Sequence, residues 1–393
     1  MVKLEHSERF LPPKAFTEEK LEAAKSRAIA RVAKNIEKFG SQLFESVRDR
    51  NNRYEVTDRI SWTAGLGTGM YWLAYEMTRD EKFLEVAKKQ SELYTQLAED
   101  RERSQGHDVG FRFIPSIVAE YKVTGNKSAR DTGIKASRIL LDQYSWKGNF
   151  IIRVGDGTSN FGWNHCRTMV DSMMNNCLYL WAYKETKEEK FLEAGVGHYR
   201  TTMKYLIRED GSSYHHYQFK PDTNEPVGGC TLQGRSDESC WSRGQSWLVY
   251  GFPIAYSYTK DAEALETAKN VTNYFLSHLP SDYIPYWDFD FGEGSLEPRD
   301  SSAAAVAVCG LLELCRHLPE DSEERAVYMN AASCMMNSLI DKCEITSDDE
   351  DGLIAHVTAH KRRNYSDSIA TYGDYFYLEA LMRFTNPDWN RYW

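Results

Sequence analysis

The sequence predicts an all-α protein, and three features of the chain support this fold class. A Tyr-x-x-Thr motif followed by a turn-like polar pair recurs along the chain. Each copy follows an apolar segment and precedes an amphipathic one, as expected for a helical hairpin. An unpaired helical segment remains at each end. The copies are YEMTRD (75–80), YKVTGN (121–126), YKETKE (183–188), YSYTKD (256–261) and the weaker MRFTNP (382–387), with CRHLPEDSEE (315–324) in the remaining place.

The apolar segments before the motifs are predicted to be buried inner helices. They carry few charges and are long enough for several helical turns. The segments are WTAGLGTGMYWLAY (62–75), DVGFRFIPSIVAEY (108–121), DSMMNNCLYLWAY (171–183), WSRGQSWLVYGFPIAY (241–256), DSSAAAVAVCGLLEL (300–314) and DYFYLEALMRF (374–384).

The segments after the motifs are predicted to be half-exposed outer helices. In DEKFLEVAKKQSELYTQL (80–97), Phe83, Val86 and Tyr94 fall on one helical stripe. The opening segment (17–40) is amphipathic and has no buried partner before it, whereas the last buried segment has no outer helix after it. Pairing these two closes six inner and six outer helices into an (α/α)6 barrel, which we expect to be a single domain over residues 1–393. An open solenoid is the alternative, and closure is favoured because the two unpaired segments complement each other.

In such a barrel all inner helices run in the same direction, so their N-termini meet at one rim. Aligned helix N-termini present unpaired N–H groups and suit an anionic ligand. Carboxylates, aromatic rings and an arginine lie at these starts, which predicts a ligand site there. The residues are Trp62, His107, Asp108, Asp171, Trp241, Arg243, Asp300 and Asp374.

The aspartates at these helix starts differ in their surroundings. An aspartate at a helix start is most often an N-cap, and we interpret Asp300 and Asp374 as caps. Asp108 follows His107 in a glycine-containing loop, so that capping and a functional role both remain open. Asp171 has apolar neighbours on both sides, which places it within the first turns of a buried helix. Because a buried carboxylate is costly without a partner, Asp171 is a candidate catalytic residue.

Composition restricts the classes of function. The net charge of −10 argues against general binding to nucleic acids or anionic membranes. Aromatic residues make up 13% of the chain, which is consistent with either sugar binding or core packing. The eight cysteines form no CxxC pair, the N-terminus has no apolar leader, and no apolar run is long enough to span a membrane. We therefore expect a protein of the reducing cytoplasm.

Neither a metal nor another cofactor is expected. His107, His215 and His216 lack the spacing of zinc motifs. The stretch GDGTSNFG (155–162) lacks the lysine and the strand–helix context of a phosphate loop, and a GxSxG serine motif is absent. The basic run HKRRN (360–364) is most simply a solvated loop, although its place beside the last inner helix would let it meet an anionic group at the rim.

Seven further segments carry a family resemblance. They are GHDVGF (106–111), TMVDSMMN (168–175), EDGSSYHHY (209–217), GGCTLQGRSDESCWSRGQSWLVYGF (228–252), YWDFD (286–290), RDSSAAA (299–305) and GDYFYLEAL (373–381). In this order they resemble the unsaturated glucuronyl hydrolases, glycoside hydrolase family 88. The long block is specific, and none of the segments is a generic short motif.

The resemblance implies a six-hairpin (α/α)6 enzyme that acts on lyase-generated oligosaccharides of hyaluronan, chondroitin or heparin, whose non-reducing end is an unsaturated uronate. It implies that Asp171 is the catalytic acid and base and that Asp108 is the second essential carboxylate. The residues implied around the bound uronate are Trp62, His107, His215, Gln233, Arg243 and Trp247. Val154 stands where the family suggests an aromatic residue, and family members differ in sulfate tolerance within region 356–368.

The implied chemistry is hydration of a vinyl ether. A carboxylic acid protonates carbon four, positive charge develops on carbon five and the ring oxygen, and water adds there. The hemiketal then opens and releases the neighbouring sugar. We expect burial and the second carboxylate to keep Asp171 protonated, against the opposing effect of the helix N-terminus. Arg243 is expected to pair with the substrate carboxylate, and Trp62 and Trp247 to stack on the flattened ring.

Three other functions remain as alternatives. An unsaturated rhamnogalacturonyl hydrolase has the same fold and chemistry but acts on pectin fragments. An inverting glycosidase would use two carboxylates on a saturated sugar. A helical-repeat scaffold would bind sugars without turnover. The block around Arg243 favours the glucuronyl family, and the cluster of acids, arginine and tryptophans argues against a scaffold.

Overall fold

The protein forms a ring of helical hairpins, as predicted. The computed structural model describes residues 2–11, 16–46, 51–153 and 166–393. The inner helices are α2 (Ala64–Thr78), α5 (Val109–Phe113) with α6 (Ala119–Thr124), α8 (Ser172–Thr186), α10 (Ser242–Thr259), α12 (Ser301–Cys315) and α14 (Thr371–Thr385). The outer helices are α1 (Glu18–Phe39), α3 (Glu81–Glu99) with the short α4 (Arg101–Ser104), α7 (Lys127–Leu141), α9 (Glu189–Tyr205), α11 (Ala262–Ser277) and α13 (Glu323–Ser338).

The ring closes between the two ends of the chain. Each inner helix packs against the next, and α14 packs against α2 on its far side. The opening helix α1 covers α14, as the unpaired ends of the sequence predicted. The (α/α)6 barrel is therefore confirmed, and the open solenoid is excluded.

The recurring threonine ends the inner helices. The Thr78 hydroxyl donates to the carbonyl of Ala74 at 2.7 Å and accepts the backbone N–H of Asp80 at 3.1 Å. Arg79 is left-handed (φ 60°), and the Asp80 side chain caps α3. The same hydroxyl-to-carbonyl contact recurs at residues 124, 186, 259 and 385. The motif thus specifies the turn from an inner to an outer helix through contacts within a few residues.

A proline interrupts the second inner segment. Between α5 and α6, Ile114–Val118 forms a π-helical turn with Pro115 near its start. Proline has no N–H to donate and its ring crowds the preceding turn, so the regular hydrogen-bond ladder cannot continue there. The chain widens locally and then resumes as a helix in the same direction.

Short strands lie in the connections that run from outer to inner helices. They are β1 (Leu43–Ser46), β2 (Tyr54–Thr57), β3 (Tyr144–Ser145), β4 (Phe150–Ile151), β5 (Arg167–Met169), β6 (His216–Phe219) and β7 (Pro226–Cys230). β1 pairs with β2 and β3 with β4, while β5, β6 and β7 form a three-stranded antiparallel sheet in that order. In this sheet Met169 pairs with His216, which brings the start of α8 beside the start of β6.

Buried ion pairs close the barrel at the C-terminal ends of the inner helices. Arg383 donates to Glu379 at 2.9 Å and to Glu313 at 3.1 Å, and all three side chains are buried. The indole of Trp393 donates to Glu379 at 3.0 Å and stacks on Phe376. Because each charge has partners, this end of the barrel can be closed without an isolated buried ion.

The cysteine side chains lie mostly in the core. All eight cysteines are thiols rather than disulfides, and six of them are buried. They fill the core as small apolar side chains. Within the described ranges, the helices are too short or too polar to traverse a lipid bilayer.

The interpretation of Asp374 as an N-cap is wrong. α14 begins at Thr371, so Asp374 lies inside its first turn and is fully buried. Its carboxylate accepts the hydroxyl of Tyr54 at 2.6 Å and the backbone N–H of Ile354 at 3.1 Å. The side chain therefore joins the β1–β2 hairpin to the start of α14. Burial raises the pKa of Asp374 to about 7, although the Tyr54 hydroxyl opposes this shift.

We expect Asp374 to make the stability of the protein depend on pH. A carboxyl whose pKa is raised in the folded state stabilises the fold at low pH and loses that contribution as the pH rises through about 7. The wild-type free energy of unfolding should therefore fall between pH ~5 and pH ~8, and Asp374→Asn should show a smaller fall. Denaturant unfolding at both pH values measures this. An equal fall in both proteins would contradict the assignment.

Candidate active site

The side chains predicted for the site lie at the N-terminal ends of the inner helices. Trp62 precedes α2, Asp108 precedes α5, Asp171 precedes α8, and Arg243 is the second residue of α10. His107 adjoins Asp108, His215 precedes β6, and Gln233 follows β7. Contacts described below link these residues into one cluster, which Trp62 joins through Tyr372, whose ring centroid lies 5.0 Å from the guanidinium carbon of Arg243.

Asp171 is the buried acid of the cluster. It lies directly before α8 with helical backbone angles (φ −58°, ψ −27°), one residue earlier than the predicted position within the first turns. Its side chain makes no capping hydrogen bond, and Oδ2 has no donor within hydrogen-bond distance among the described residues. Burial and then the charge of Asp108 raise the pKa of Asp171 to about 7, while Arg243 opposes this. The expected balance, in which burial and like charge outweigh the helix N-terminus, agrees with this shift.

Asn175 connects the two carboxylate residues. It lies one helical turn after Asp171, and its Nδ2 donates to Asp108 Oδ1 at 3.4 Å and to the Asp171 carbonyl at 3.3 Å. Its Oδ1 accepts the backbone N–H of Phe111 at 3.1 Å. Asp108 also makes no capping hydrogen bond, and its Oδ2 lies 3.3 Å from Nε2 of His107. Of the two roles left open for Asp108, the structure does not support capping.

His215 faces Asp171 from the start of β6. Its Nδ1 accepts the backbone N–H groups of Leu232 and Gln233, both at 3.2 Å. An imidazole nitrogen that accepts carries no proton, so the neutral ring holds its proton on Nε2. This Nε2 lies 3.7 Å from Asp171 Oδ2. Burial and then nearby Arg153 hold the pKa of His215 well below its usual value, which keeps the ring neutral.

Both terminal nitrogens of the Arg243 guanidinium donate hydrogen bonds to protein acceptors. Nη1 donates to the Asp300 carboxylate and to the Thr358 carbonyl, and Nη2 donates to Gln233 Oε1 at 3.1 Å and to the Ala359 carbonyl at 2.8 Å. The predicted two-pronged contact between Arg243 and a substrate carboxylate is therefore not available in this conformation. Since Arg243 occupies Gln233 Oε1, the amide nitrogen of Gln233 remains for a ligand.

The interpretation of Asp300 as an N-cap is right for its position but wrong for its side chain. Asp300 stands at the N-cap position of α12 but makes no capping hydrogen bond with its side chain. Its carboxylate instead pairs with Arg243 and accepts the hydroxyl of Ser302. Asp300 thus fixes the guanidinium at the rim.

The two tryptophans predicted to stack on the sugar ring differ in their exposure to the site. Trp62 is half-buried and stacks on Tyr372, with ring centroids 5.1 Å apart and planes at 21°. Trp247 has no exposed surface and packs edge-on against Phe111 and Phe376. The prediction that Trp247 stacks on a sugar ring is therefore wrong for this conformation, because that face is covered by core side chains.

A buried arginine, Arg153, adds positive charge near Asp171. Arg153 acts electrostatically on Asp171, His107 and His215. It is 7% exposed, and its Nε and Nη1 have no acceptor among the described residues. Unpaired buried donors of this kind are costly and favour an anionic ligand.

The sequence analysis missed Asn175, Tyr372 and Arg153. Asn175 could have been found from its spacing, because a residue four after Asp171 faces the same side of a helix. Tyr372 could have been found by extending the list of helix starts to the beginning of α14. No sequence signal distinguishes Arg153 from a surface arginine.

The predictions for Val154, the stretch 155–162 and the basic run 360–364 concern other parts of the rim. Val154 and the stretch 155–162 lie outside the described residues. The basic run 360–364 directly follows the carbonyls that hold Arg243, and it includes a short 3-10 turn, Lys361–Arg363. Arg362 donates to the Arg235 carbonyl at 2.6 Å, which ties the run to the loop that carries Gln233. In the described ranges, no group of three or more His, Cys, Asp or Glu residues is arranged to hold a metal.

Known proteins share both the sequence and the fold. Residues 35–290 match the Glycosyl Hydrolase Family 88 model. The unsaturated chondroitin disaccharide hydrolase of Streptococcus pneumoniae is 38% identical over 393 residues, covering 100% of this chain and 98% of that protein. The unsaturated glucuronyl hydrolase of Streptococcus agalactiae superposes with a TM-score of 0.93 at 37% identity, covering 100% of this chain and 98% of that structure. An aspartate-to-asparagine variant of that enzyme, in complex with dGlcA-GalNAc6S, gives 0.87 at 35% identity, with 100% and 99% covered. The chain belongs to glycosyl hydrolase family 88.

Proposed function

We propose that this protein is an unsaturated glucuronyl hydrolase. It hydrates the double bond between carbons four and five of a terminal unsaturated uronate and so releases the sugar to which the uronate is joined. The observation that carries the proposal is the buried carboxyl of Asp171, whose pKa is raised to about 7 beside a second carboxylate at the barrel rim. Family membership and the activities named for the streptococcal relatives support it.

Asp171 is the proton donor in this proposal. Donation to carbon requires a carboxyl that is still protonated near neutral pH, and burial provides this. Once carbon five is positive, the resulting carboxylate takes a proton from the attacking water, so that one residue serves as acid and then as base. Asp108 raises the proton affinity of Asp171, and Asn175 holds the two residues together.

The substrate carboxylate binds on the positive side of the cluster. Gln233 donates its amide N–H groups, since Arg243 already occupies its oxygen. Arg243 and Arg153 supply positive charge to the same region without leaving the acids neutralised by a direct ion pair. Trp62, which Tyr372 supports from one side, offers a surface for the flattened sugar ring. His107 and His215 bind hydroxyl groups or orient the water.

The neighbouring sugar is an N-acetylhexosamine of the chondroitin type in this proposal. The S. pneumoniae relative is named for unsaturated chondroitin disaccharides, and the S. agalactiae variant was solved with dGlcA-GalNAc6S. Hyaluronan and heparin disaccharides are the other substrates to compare. We further propose a single domain over residues 1–393 and a cytoplasmic location, which the eight free thiols support.

The proposed function predicts turnover of unsaturated disaccharides. The purified protein should remove the ultraviolet absorbance of the conjugated uronate when mixed with chondroitin, hyaluronan or heparin disaccharides produced by lyases. Saturated disaccharides and pectin-derived unsaturated disaccharides serve as comparisons. Turnover of a saturated substrate alone would favour an inverting glycosidase, and binding without turnover of any substrate would favour a scaffold.

Replacement of the proposed proton donor should abolish turnover without unfolding the protein. We expect Asp171→Asn to fold, because the amide fills the same volume and removes the cost of burying a charge. Its kcat should fall by about a hundredfold to ten-thousandfold, the range for loss of an acid–base group. The matched control is Asp131→Asn, an exposed aspartate paired with Arg130, which should keep full activity. Wild-type activity of Asp171→Asn would remove it from this role.

The proton on Asp171 should set the alkaline limit of activity. Since its pKa is raised to about 7, the fraction able to donate falls as the pH rises through that value, and kcat/KM should fall with it. In Asp108→Asn the neighbouring charge is lost, so the pKa of Asp171 should decrease, which carbon NMR of labelled aspartate measures without substrate. An unchanged pKa in that variant would show that Asp108 does not act on Asp171.

A further inference from the structure

The YWDFD segment contains a buried aspartate that the proposed chemistry does not use. Asp288 is fully buried. Its Oδ2 accepts the backbone N–H of Arg235 at 2.8 Å and the hydroxyl of Ser239 at 2.7 Å, and its Oδ1 accepts the backbone N–H of Asp290 at 3.1 Å. Two of these three donors belong to the loop that follows β7. Asp288 therefore fastens that loop, residues 231–241, to the segment before α12.

The same loop carries the N–H groups that fix His215. Leu232 and Gln233 donate to its Nδ1 from within the loop. The loop is bent by Thr231, whose hydroxyl accepts the N–H of Gly234 at 2.8 Å. Asp237, an exposed residue, accepts the N–H of Thr231 at 2.8 Å. The two donors therefore depend on a loop that Asp237 braces from within and Asp288 anchors from outside, and the Thr231 hydroxyl lies 3.4 Å from the same Nδ1.

We propose that Asp288 is a positioning residue that fixes the tautomer of His215 through this loop. With Nδ1 occupied, the ring must present its Nε2 proton to Asp171. If the loop shifts, Nδ1 is free to take the proton, and the ring can present a bare nitrogen or become a cation beside the acid. This inference rests on the proposed roles of Asp171 and His215.

A carboxylate suits this position better than an amide. The two oxygens of Asp288 accept three donors. An asparagine has one oxygen and one NH2 group, so in either orientation at least one N–H or O–H would face another donor. Asp288→Asn should therefore loosen the loop while it preserves the volume of the side chain.

Several charged groups act on His215 and enter any pH effect. The acid Asp171 faces Nε2, and His216 and Trp241 lie against the ring. The basic groups that disfavour its protonation are Arg153, Arg243, His360 and Arg167. When the loop is loosened, the ring becomes able to bind a second proton. A cationic His215 would oppose the positive charge that develops on carbon five in the proposed reaction. Activity should then fall as the pH drops and the ring takes its second proton.

The test combines a spectrum with a pH profile. Nitrogen NMR of labelled histidine, with His215 identified by its absence in His215→Gln, reports which ring nitrogen carries the proton in the free protein. Wild type should show Nε2–H at all pH values. Asp288→Asn should show a ring that titrates, and its kcat/KM should fall about tenfold per pH unit below the new pKa. Asp237→Ala removes the exposed carboxylate that accepts the Thr231 N–H within the loop, and we expect the same change.

Asp290→Asn is the matched control. Asp290 pairs with the Arg235 side chain at 3.2 Å, and its backbone N–H still reaches Asp288 in the variant. It should keep the wild-type spectrum and pH profile. A spectrum of His215 that stays wild-type in Asp288→Asn and Asp237→Ala would overturn the proposal, even if kcat/KM fell equally at all pH values. If Asp288→Asn does not fold, Asp237→Ala decides. Because the spectrum needs no substrate, a failure of the proposed function would not change it.

Discussion

In the proposed mechanism Asp171 donates a proton near neutrality, and the rest of the site depends on keeping this carboxyl away from bulk water and from direct cationic partners. Asp171 is buried and has no donor on Oδ2 among the described residues. The positive charge that a uronate requires is nevertheless present, since Arg243 and Arg153 act on the same region. Arg243 is prevented from neutralising Asp171 because Asp300 and two backbone carbonyls hold its guanidinium. Under the proposed function, the positive charge that binds the uronate is thus kept apart from the carboxyl that donates the proton.

The barrel supplies the framework, while the connections at the rim supply much of the geometry. Inner helices place Asp108, Asp171 and Arg243 at one rim because all of them start there. Each of these residues depends on partners from another part of the chain: a neighbouring helix for Asp108, β6 for Asp171 through His215, and residues 358–359 for Arg243. Irregular segments are thus as important as helices for the orientation of the reacting groups.

The fold could be predicted from the sequence because its signals are local. The threonine turn needs only the residues on either side, and the buried and amphipathic helices show their periodicity within a few turns. The set of helix starts identified most of the candidate site for the same reason. The interpretations that were wrong concern partners far apart in the chain. Asp300 and Asp374 have the sequence pattern of caps, but Arg243 and Tyr54 contact them in the fold. The burial of Trp247 depends on Phe111 and Phe376, which no local pattern connects to it.

The sealed end of the barrel limits which part of a polymer can be attacked. Arg383, its two glutamates and Trp393 are buried together between the C-terminal parts of the inner helices. Under the proposed function, a sugar would therefore enter and leave through the rim at the opposite, N-terminal ends of these helices. The interior of a long polysaccharide has no free end to insert, so it would have to pass through the buried C-terminal end of the barrel. The architecture therefore suits exo-acting removal of one terminal unit at a time.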